Sequence, residues 1–175
     1  MKKLLFLLCL PVVLSAQTFS DTLSFYRPAN PTPYSNGDIV CALSDSAILR
    51  FPTFYRYQGG FITGAVVSVD TASTAGSFRL WLFNDSTGFT KIGDNAAWVA
   101  PAAMIRYGLV GFIDFSLSSS GLGAGSGGAA DFVTAQIPFV SLGANGLYGI
   151  LTASGAYTPK LSGRVTVKLI GYALR

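Results

Sequence analysis

The chain has 175 residues, of which half are hydrophobic and 11% are charged, and its formal net charge is +4. This length fits one domain with a sizeable core. All eight acidic residues are Asp, and there is no His, which excludes a Ser-His-Asp triad and metal sites that need imidazole. The basic residues are scattered, without the run or helical stripe of a nucleic-acid-binding face, so no nucleic-acid partner is expected.

Residues 1–16 form an apolar leader. A basic start, Lys2-Lys3, precedes an apolar run over 4–14 and the small residue Ala16, which is the layout of a secretory signal peptide cleaved near Ala16. The run is shorter than the about 20 residues that span a bilayer, so no integral membrane span is expected. The alternative for this segment is an N-terminal arm buried in an assembly.

Residues 17–36 are predicted to form an extended, Pro-rich N-terminal arm. Within them, 18–26 is interpreted as an edge strand or an arm. The stretch 27–33 contains three prolines, which block regular ladders and favour an extended crossing. The remaining residues, 37–175, are predicted to form a single β-sandwich domain.

The first half of this domain reads as short strands. Strands are expected over 37–43 and 47–51, with 55–57 extending the second. Strand 61–69 is expected to present one face, made by Phe61, Thr63, Ala65, Val67 and Val69. Strand 77–83 turns Phe78, Leu80 and Leu82 inward by its period of two. Its other face carries Ser77, Arg79, Trp81 and Phe83, and is aromatic enough that we expect part of it to be covered.

The second half continues the pattern after a loop over 84–104, which holds one helical turn near 101–105. A strand follows over 107–117. The strand over 132–141 contains Pro138, which predicts a sheet edge or a bulge. Asn145-Gly146 is a hairpin signal, so 147–153 is expected to pair back on that strand. The last strand, 161–172, turns Val165, Val167 and Leu169 inward.

Together these elements predict an all-β fold of about eight or nine strands. A jelly-roll-like β-sandwich is the predicted architecture, and a Greek-key barrel is the alternative.

No residue emerges as catalytic, cofactor-binding or metal-binding. The Gly-rich stretch 123–128 matches G-x-G-x-x-G but leads into a strand and has no acid about 20 residues later, so a flexible loop is the simpler interpretation. Asn84, Asp85, Ser86 and Thr87, with Asp94 and Asn95 on the same loop, offer oxygens to calcium, but Asx turns explain them as well. Cys41, without a His base, is expected to be a buried apolar residue.

Aromatic side chains expected to be exposed indicate carbohydrate binding as one interpretation, because rings stack on sugar faces. Core or subunit-interface roles are the favoured interpretation, since aromatic residues are enriched at interfaces. The candidates are Tyr26, Tyr34, Phe54, Tyr55, Tyr57, Trp81, Trp98 and Tyr157.

From residue 59 to the C-terminus the chain resembles a family of small phage virion proteins, described as structural or head-decoration proteins and encoded near the major capsid protein. The resemblance follows a collinear series of landmarks over about two-thirds of the chain, none of them specific alone. The landmarks are Gly59-Gly60 with the following Ile-Thr-Gly-Ala-Val-Val, then 77–83 (SFRLWLF), 93–97 (GDNAA), 110–115 (VGFIDF), 137–139 (IPF), 147–151 (LYGIL) and 156–159 (AYTP).

The resemblance implies a β-sandwich that coats or extends an assembly, and it brings no catalytic residue. We therefore expect a non-enzymatic virion structural protein without cofactor, homo-oligomeric and bound to the major capsid protein or another virion protein. The alternative is a protein that is periplasmic or extracellular after cleavage near Ala16 and binds glycans or a cell-surface partner.

Overall fold

The computed structural model describes residues 16–42, 47–56, 59–70, 76–86, 89, 93–117, 129–140, 146–159 and 161–174. These residues form eight strands, one short α-helix and one 3₁₀ helix, so the predicted all-β class is confirmed. The strands are β1 Ala16–Tyr26, β2 Leu49–Phe51, β3 Gly59–Val69, β4 Gly76–Phe83, β5 Leu109–Leu117, β6 Ala129–Val140, β7 Leu147–Ala153 and β8 Arg164–Leu174; the 3₁₀ helix is Pro52–Arg56, and α1 is Ala102–Tyr107.

The strands form two four-stranded sheets. The first sheet has the order β1-β8-β3-β6, and the second sheet has the order β2-β7-β4-β5. Each strand pairs antiparallel with its counterpart counted from the other end of the chain: β1 with β8, β2 with β7, β3 with β6, and β4 with β5. Rolling up such a four-pair ribbon gives the jelly roll. The predicted jelly-roll-like sandwich is confirmed, as two separate sheets instead of one barrel.

The core lies between the two sheets and is built by the predicted alternation. From the second sheet, Phe78, Leu80 and Leu82 point inward and are fully buried. From the first sheet, Val165, Val167 and Leu169 meet them from the opposite side and are equally buried. The burial of these apolar side chains away from water is the main stabilising contribution in such a sandwich.

Residues 16–26 belong to the sandwich, so of the two interpretations of 18–26 the edge strand is the one observed. β1 is the edge strand of the first sheet and pairs with β8 along its whole length, from Ala16 with Leu174 to Tyr26 with Arg164. Phe19, Leu23 and Phe25 pack against the core. The Pro-rich crossing follows β1, and its contact with the sandwich includes an isolated bridge between Tyr34 and Tyr157. The signal-peptide prediction for residues 1–16 falls, except for Ala16, outside the described residues.

Three strand predictions need correction. In β3 the register shifts between Ile62 and Gly64, so the bulge brings Ile62 into the core while Phe61 and Thr63 are only half-buried. Residues 52–56 are a 3₁₀ helix and not a strand extension, because Pro52 lacks the N–H that a ladder needs. Within 37–42, Asp38 and Ile39 make isolated bridges instead of a regular strand, and residue 43 lies outside the described residues.

The hairpin prediction for Asn145-Gly146 is wrong, because β6 and β7 lie in different sheets. β6 pairs with β3, whereas β7 pairs with β2 and β4. Gly146 is required for a different reason, because the backbone of Phe51 passes close to its Cα. The φ of Gly146 is +84°, and a Cβ there would lie 2.3 Å from the carbonyl oxygen of Phe51. Residues 141–145 lie outside the described part. Pro138, in contrast, does sit on a sheet edge as predicted, since β6 ends the first sheet.

Candidate functional site

The outer face of the second sheet is covered, as the aromatic pattern of β4 predicts. Phe83 and Tyr148 point away from the core between the sheets and are nevertheless buried, under Met104 of α1. Phe89 and Trp98 from the loop after β4 pack over the same surface. The predicted helical turn near 101–105 is confirmed as α1 and supplies part of this cover.

The end of the loop is held against residues 37–41 by backbone hydrogen bonds. Asn95 N–H donates to the Ile39 carbonyl at 2.8 Å, Ile39 N–H donates to the Ala96 carbonyl at 2.9 Å, and Trp98 N–H donates to the Gly37 carbonyl at 3.0 Å. Asn95 has φ +60°, in the left-handed region that Asn tolerates better than most residues. Asn95 therefore turns the backbone, as expected from the sequence.

Asp94 lies at the centre of a buried polar cluster made with Arg27, Tyr34 and Cys41. Its Oδ2 accepts a hydrogen bond from Arg27 Nη2 at 3.0 Å. Its Oδ1 accepts one from the Tyr34 hydroxyl at 2.6 Å and one from the Cys41 backbone N–H at 3.0 Å. The Arg27 and Asp94 side chains are 1% and 4% exposed. This carboxylate is surrounded by donors, so it works as a structural tie and is not available to a metal or a substrate.

The same cluster keeps its titratable neighbours neutral. Burial, followed by the hydrogen bond to Asp94, raises the pKa of Tyr34 well above its ordinary value. Burial, followed by the negative charge of Asp94, raises the pKa of the Cys41 thiol from 9.0 to about 12. Cys41 is buried, as predicted. A phenol and a thiol held in this way supply neither a general acid nor a nucleophile near neutral pH.

Other carboxylates also serve local structure. Asp21 accepts a hydrogen bond from the Thr53 backbone N–H at 2.7 Å, and Asp131 accepts one from Ser116 N–H at 2.8 Å. Asp38 accepts one from Ser35 N–H at 2.6 Å.

Within the described ranges, no three His, Cys, Asp or Glu residues come together as a metal site. Of the calcium candidates, Thr87 lies outside these ranges, as does the Gly-rich stretch 123–128, so the expected lack of a cofactor stays a prediction.

A cleft of about 430 Å³ opens at one end of the same outer face, between β4, β7 and the crossing that leads from β1. The Trp81 and Trp98 rings meet there with centroids 5.4 Å apart and planes at 61°. The Trp81 indole N–H donates to the Thr152 hydroxyl at 3.2 Å. The lining residues are Asn36, Gly37, Arg79, Trp81, Trp98, Thr152, Ala153 and Ser154.

Arg79 at the cleft is fixed by a two-point ion pair. Its Nε and Nη2 donate to the two carboxylate oxygens of Asp114 at 2.6 and 2.8 Å. Its guanidinium carbon lies 4.2 Å from the Phe112 ring centroid and 5.1 Å from that of Trp81. The hydrogen bond to Asp114 is the main cause of the raised pKa of Arg79.

The aromatic candidates divide into separate groups. Tyr34, Phe54 and Tyr157 are core residues, and Tyr26 is exposed at the end of β1. Trp81 and Trp98 meet at the cleft. Tyr57 lies outside the described residues, and the Tyr55 side chain is not described either. The sequence did not single out Arg27, Asn36 or Thr152, because their roles come from long-range contacts that no local pattern marks.

Comparisons with known proteins give no family. No family model matches the chain, and no curated protein matches it. Among solved structures, a chain from "Structure of Triatoma Virus (TrV)" is similar over 91% of this chain and 64% of its own length, with a TM-score of 0.36 and 9% identity. Among the helices of the described residues, none is long and apolar enough to cross a membrane.

Proposed function

We propose that this protein is a non-enzymatic structural protein of a virus particle. In the finer form of the proposal it is a phage head-decoration protein, which binds the major capsid protein or another virion protein and assembles as a homo-oligomer through the rigid surface of its sandwich.

The proposal rests on the position of the sequence landmarks that resemble phage virion proteins, because these landmarks lie in the strands and contacts that form the sandwich. The stretch 77–83 lies within β4, 110–115 lies in β5, and 147–151 lies in β7. The stretch 93–97 contains the buried Asp94, and 156–159 contains Tyr157, whose ring stacks on Tyr34. The resembling residues are therefore the framework of the jelly roll, which is what two proteins that share a scaffold and not a reaction would have in common.

The surface also supports a role in assembly. Large apolar side chains are exposed on both sides of the sandwich, among them Val99 beside α1 and Phe132 on β6, which are 80% and 56% exposed. The buried carboxylate of Asp94 is engaged in structural contacts. A fixed surface with apolar anchors suits docking to a neighbour.

Mass spectrometry of purified particles tests this proposal. We expect peptides of this chain in the particle at a copy number in fixed ratio to the major capsid protein, and their absence from particles would end the proposal. Two variants locate the attached face: Val99→Asp beside the second sheet and Phe132→Asp outside the first. We expect one of them to melt normally and yet to be lost from particles. Normal incorporation of both would contradict assembly through these surfaces.

A second candidate function is favoured by the cleft at Trp81 and Trp98, together with the leader. In this alternative the protein is exported and binds a glycan or another cell-surface partner. N-terminal sequencing of the natural protein distinguishes the two: a start at Gln17 supports export, and an intact Met1 in a particle supports the virion role.

A further inference from the structure

We propose that the cleft between Trp81, Trp98 and Asn36 is a binding site for a neutral saccharide. This inference deepens the second candidate function and rests on it for the ligand class, but it requires neither export nor a particular host. It assigns carbohydrate binding to one cleft, whereas the sequence offered eight aromatic candidates without grouping them.

The two indoles give the cleft its apolar corner. Their planes meet at 61° with centroids 5.4 Å apart, and both side chains are only partly buried. The face of an aromatic ring is electronegative, so it attracts the weakly positive C–H groups on one face of a pyranose. At this distance the two rings contact each other edge to face, so a sugar would stack on the ring surface that this contact leaves exposed.

The rest of the lining supplies polar groups among the apolar ones. Asn36 places an amide at the exposed rim, and Ser154 places a hydroxyl nearby. The Thr152 hydroxyl accepts from Trp81 and donates to the Arg79 carbonyl at 3.4 Å, which fixes the orientation of the Trp81 ring. Small-molecule sites combine a few fixed polar groups with apolar walls in this way. The cleft volume of about 430 Å³ lies in their usual range of about 300–1,000 Å³.

Charge selects a neutral sugar over an acidic one. Arg79 is the charged residue in the lining, and Asp114 already holds it at two points. Its positive charge is therefore matched, and an anionic sugar would have to compete with Asp114 for the guanidinium. No carboxylate lines the cleft among the described residues, so the site is expected to bind a saccharide without cleaving it.

The concave shape distinguishes this site from a protein-docking patch. Protein interfaces of standard size bury about 800 Å² on each partner, which is far more than one such cleft presents. The exposed apolar residues that suit a protein partner, such as Val99 and Phe132, are not among the lining residues.

Tryptophan fluorescence of the purified chain tests the inference directly, because both tryptophans of the protein line the cleft. The probes are cellobiose, maltose, lactose and N,N′-diacetylchitobiose, with 3′-sialyllactose as the anionic comparison. We expect a saturable change in emission with at least one neutral disaccharide and weaker binding of sialyllactose than of lactose. No saturable change with any of the four neutral sugars would overturn the inference.

Variants then place the binding. Trp98→Ala is expected to weaken saccharide binding about tenfold, because a tenfold change in Kd corresponds to the free energy of about one ring contact. Because Trp98 also packs on the covered face, Asn36→Ala and the rim-filling Ser154→Tyr provide a second measurement with melting as the check. Phe132→Ala, on the far side of the sandwich, is the control and is expected to bind like the parent chain. Unchanged affinity in Asn36→Ala and Ser154→Tyr would overturn the assignment to this cleft.

The test separates this inference from the proposed functions. Sugar binding by a protein that is absent from particles would leave the cleft standing and remove the virion role. Sugar binding by a chain that keeps Met1 would remove export alone. A particle structure in which another protein chain fills the cleft would overturn the saccharide assignment and support the virion role.

Discussion

The outer faces of the two sheets differ, and the difference shows where the sequence pattern carries information. On the first sheet, β8 alternates strictly: Val165, Val167 and Leu169 are buried, and the residues between them are half-buried. On the second sheet, β7 is buried at all seven positions. Both strands are central in their sheets, so the contrast comes from the loop and α1, which cover one outer face and not the other.

The loop that covers the outer face of the second sheet needs stabilising contacts, because a loop loses conformational entropy when it is fixed. The structural tie that provides them is the cluster around Asp94. It joins Arg27 at the end of β1, Tyr34 in the Pro-rich crossing and Cys41 beside β7. The covered face thus depends on three segments that are far apart in the sequence.

Removing this tie is expected to have the largest effect. Asp94→Ala leaves the Arg27 charge buried without its partner, which costs about 3–5 kcal/mol in the free energy of unfolding. Chemical denaturation measures it. No change in any catalytic turnover is expected, because the cluster around Asp94 stabilises the fold and takes no part in a reaction.

The control for Asp94→Ala is the double variant Arg27→Met, Asp94→Leu. A buried ion pair replaced by apolar residues of similar size is often neutral in stability. We expect the double variant to recover part of the loss, because the buried Arg27 charge is gone but the Tyr34 hydroxyl and the Cys41 N–H still lack their acceptor. A single variant that unfolds like the parent chain, or that melts normally but loses a binding partner, would show that Asp94 is not a structural tie.

A matched pair of isoleucines on the central strands tests the cover itself. Ile150 on the outer face of β7 is 2% exposed, and Ile170 on the outer face of β8 is half-buried. Ile150→Ala is expected to cost about 2–5 kcal/mol, as in a core, and Ile170→Ala clearly less. Equal losses in the denaturation midpoints would mean that the two outer faces are equally packed and would remove the contrast.

The inward-facing positions within single strands were the more predictable part of the fold. The inward positions of β8 and the edge position of Pro138 follow from the period of two and from the missing proline N–H. The bulge between Ile62 and Gly64 broke the same pattern in β3, since an inserted residue places the residues before it on the opposite face from the one that the residues after it predict. The turn signal at Asn145-Gly146 misled because local turn chemistry does not specify which sheet the next strand joins.

The candidate site was much less predictable. The sequence indicated that part of the outer face of β4 would be covered, because an aromatic outer face is unstable in water. It did not indicate what covers this face. Arg27 lies 67 residues from Asp94, and Trp98 reaches the cleft only through the fold of its loop. Such contacts depend on the topology of the whole sandwich, which no motif in this chain records.

Alkaline pH is expected to weaken the covered face gradually. The pKa of the Cys41 thiol is raised from 9.0 to about 12, mainly by burial, and burial raises the pKa values of Tyr34 and Tyr157 as well. The unfolded chain therefore releases these protons first, so stability is full below about pH 9 and falls as the pH rises towards 12. Denaturation between pH 7 and 11 measures the slope. Cys41→Ala is expected to have a shallower slope, and identical slopes would contradict the buried, neutral thiol.

The smallest effect is expected at the open end of the same face, where Arg79 and Asp114 form the second ion pair. Their side chains are 33% and 51% exposed, so water and salt screen the attraction. Asp114→Ala should cost about 0–1 kcal/mol despite its two hydrogen bonds, and the loss should shrink further in 1 M salt, where the Debye length is about 3 Å. Denaturation at low and high salt, beside Asp94→Ala, makes the comparison. A loss at Asp114 as large as that at Asp94, unchanged by salt, would mean that the cover extends over this pair and that the cleft beside it is closed.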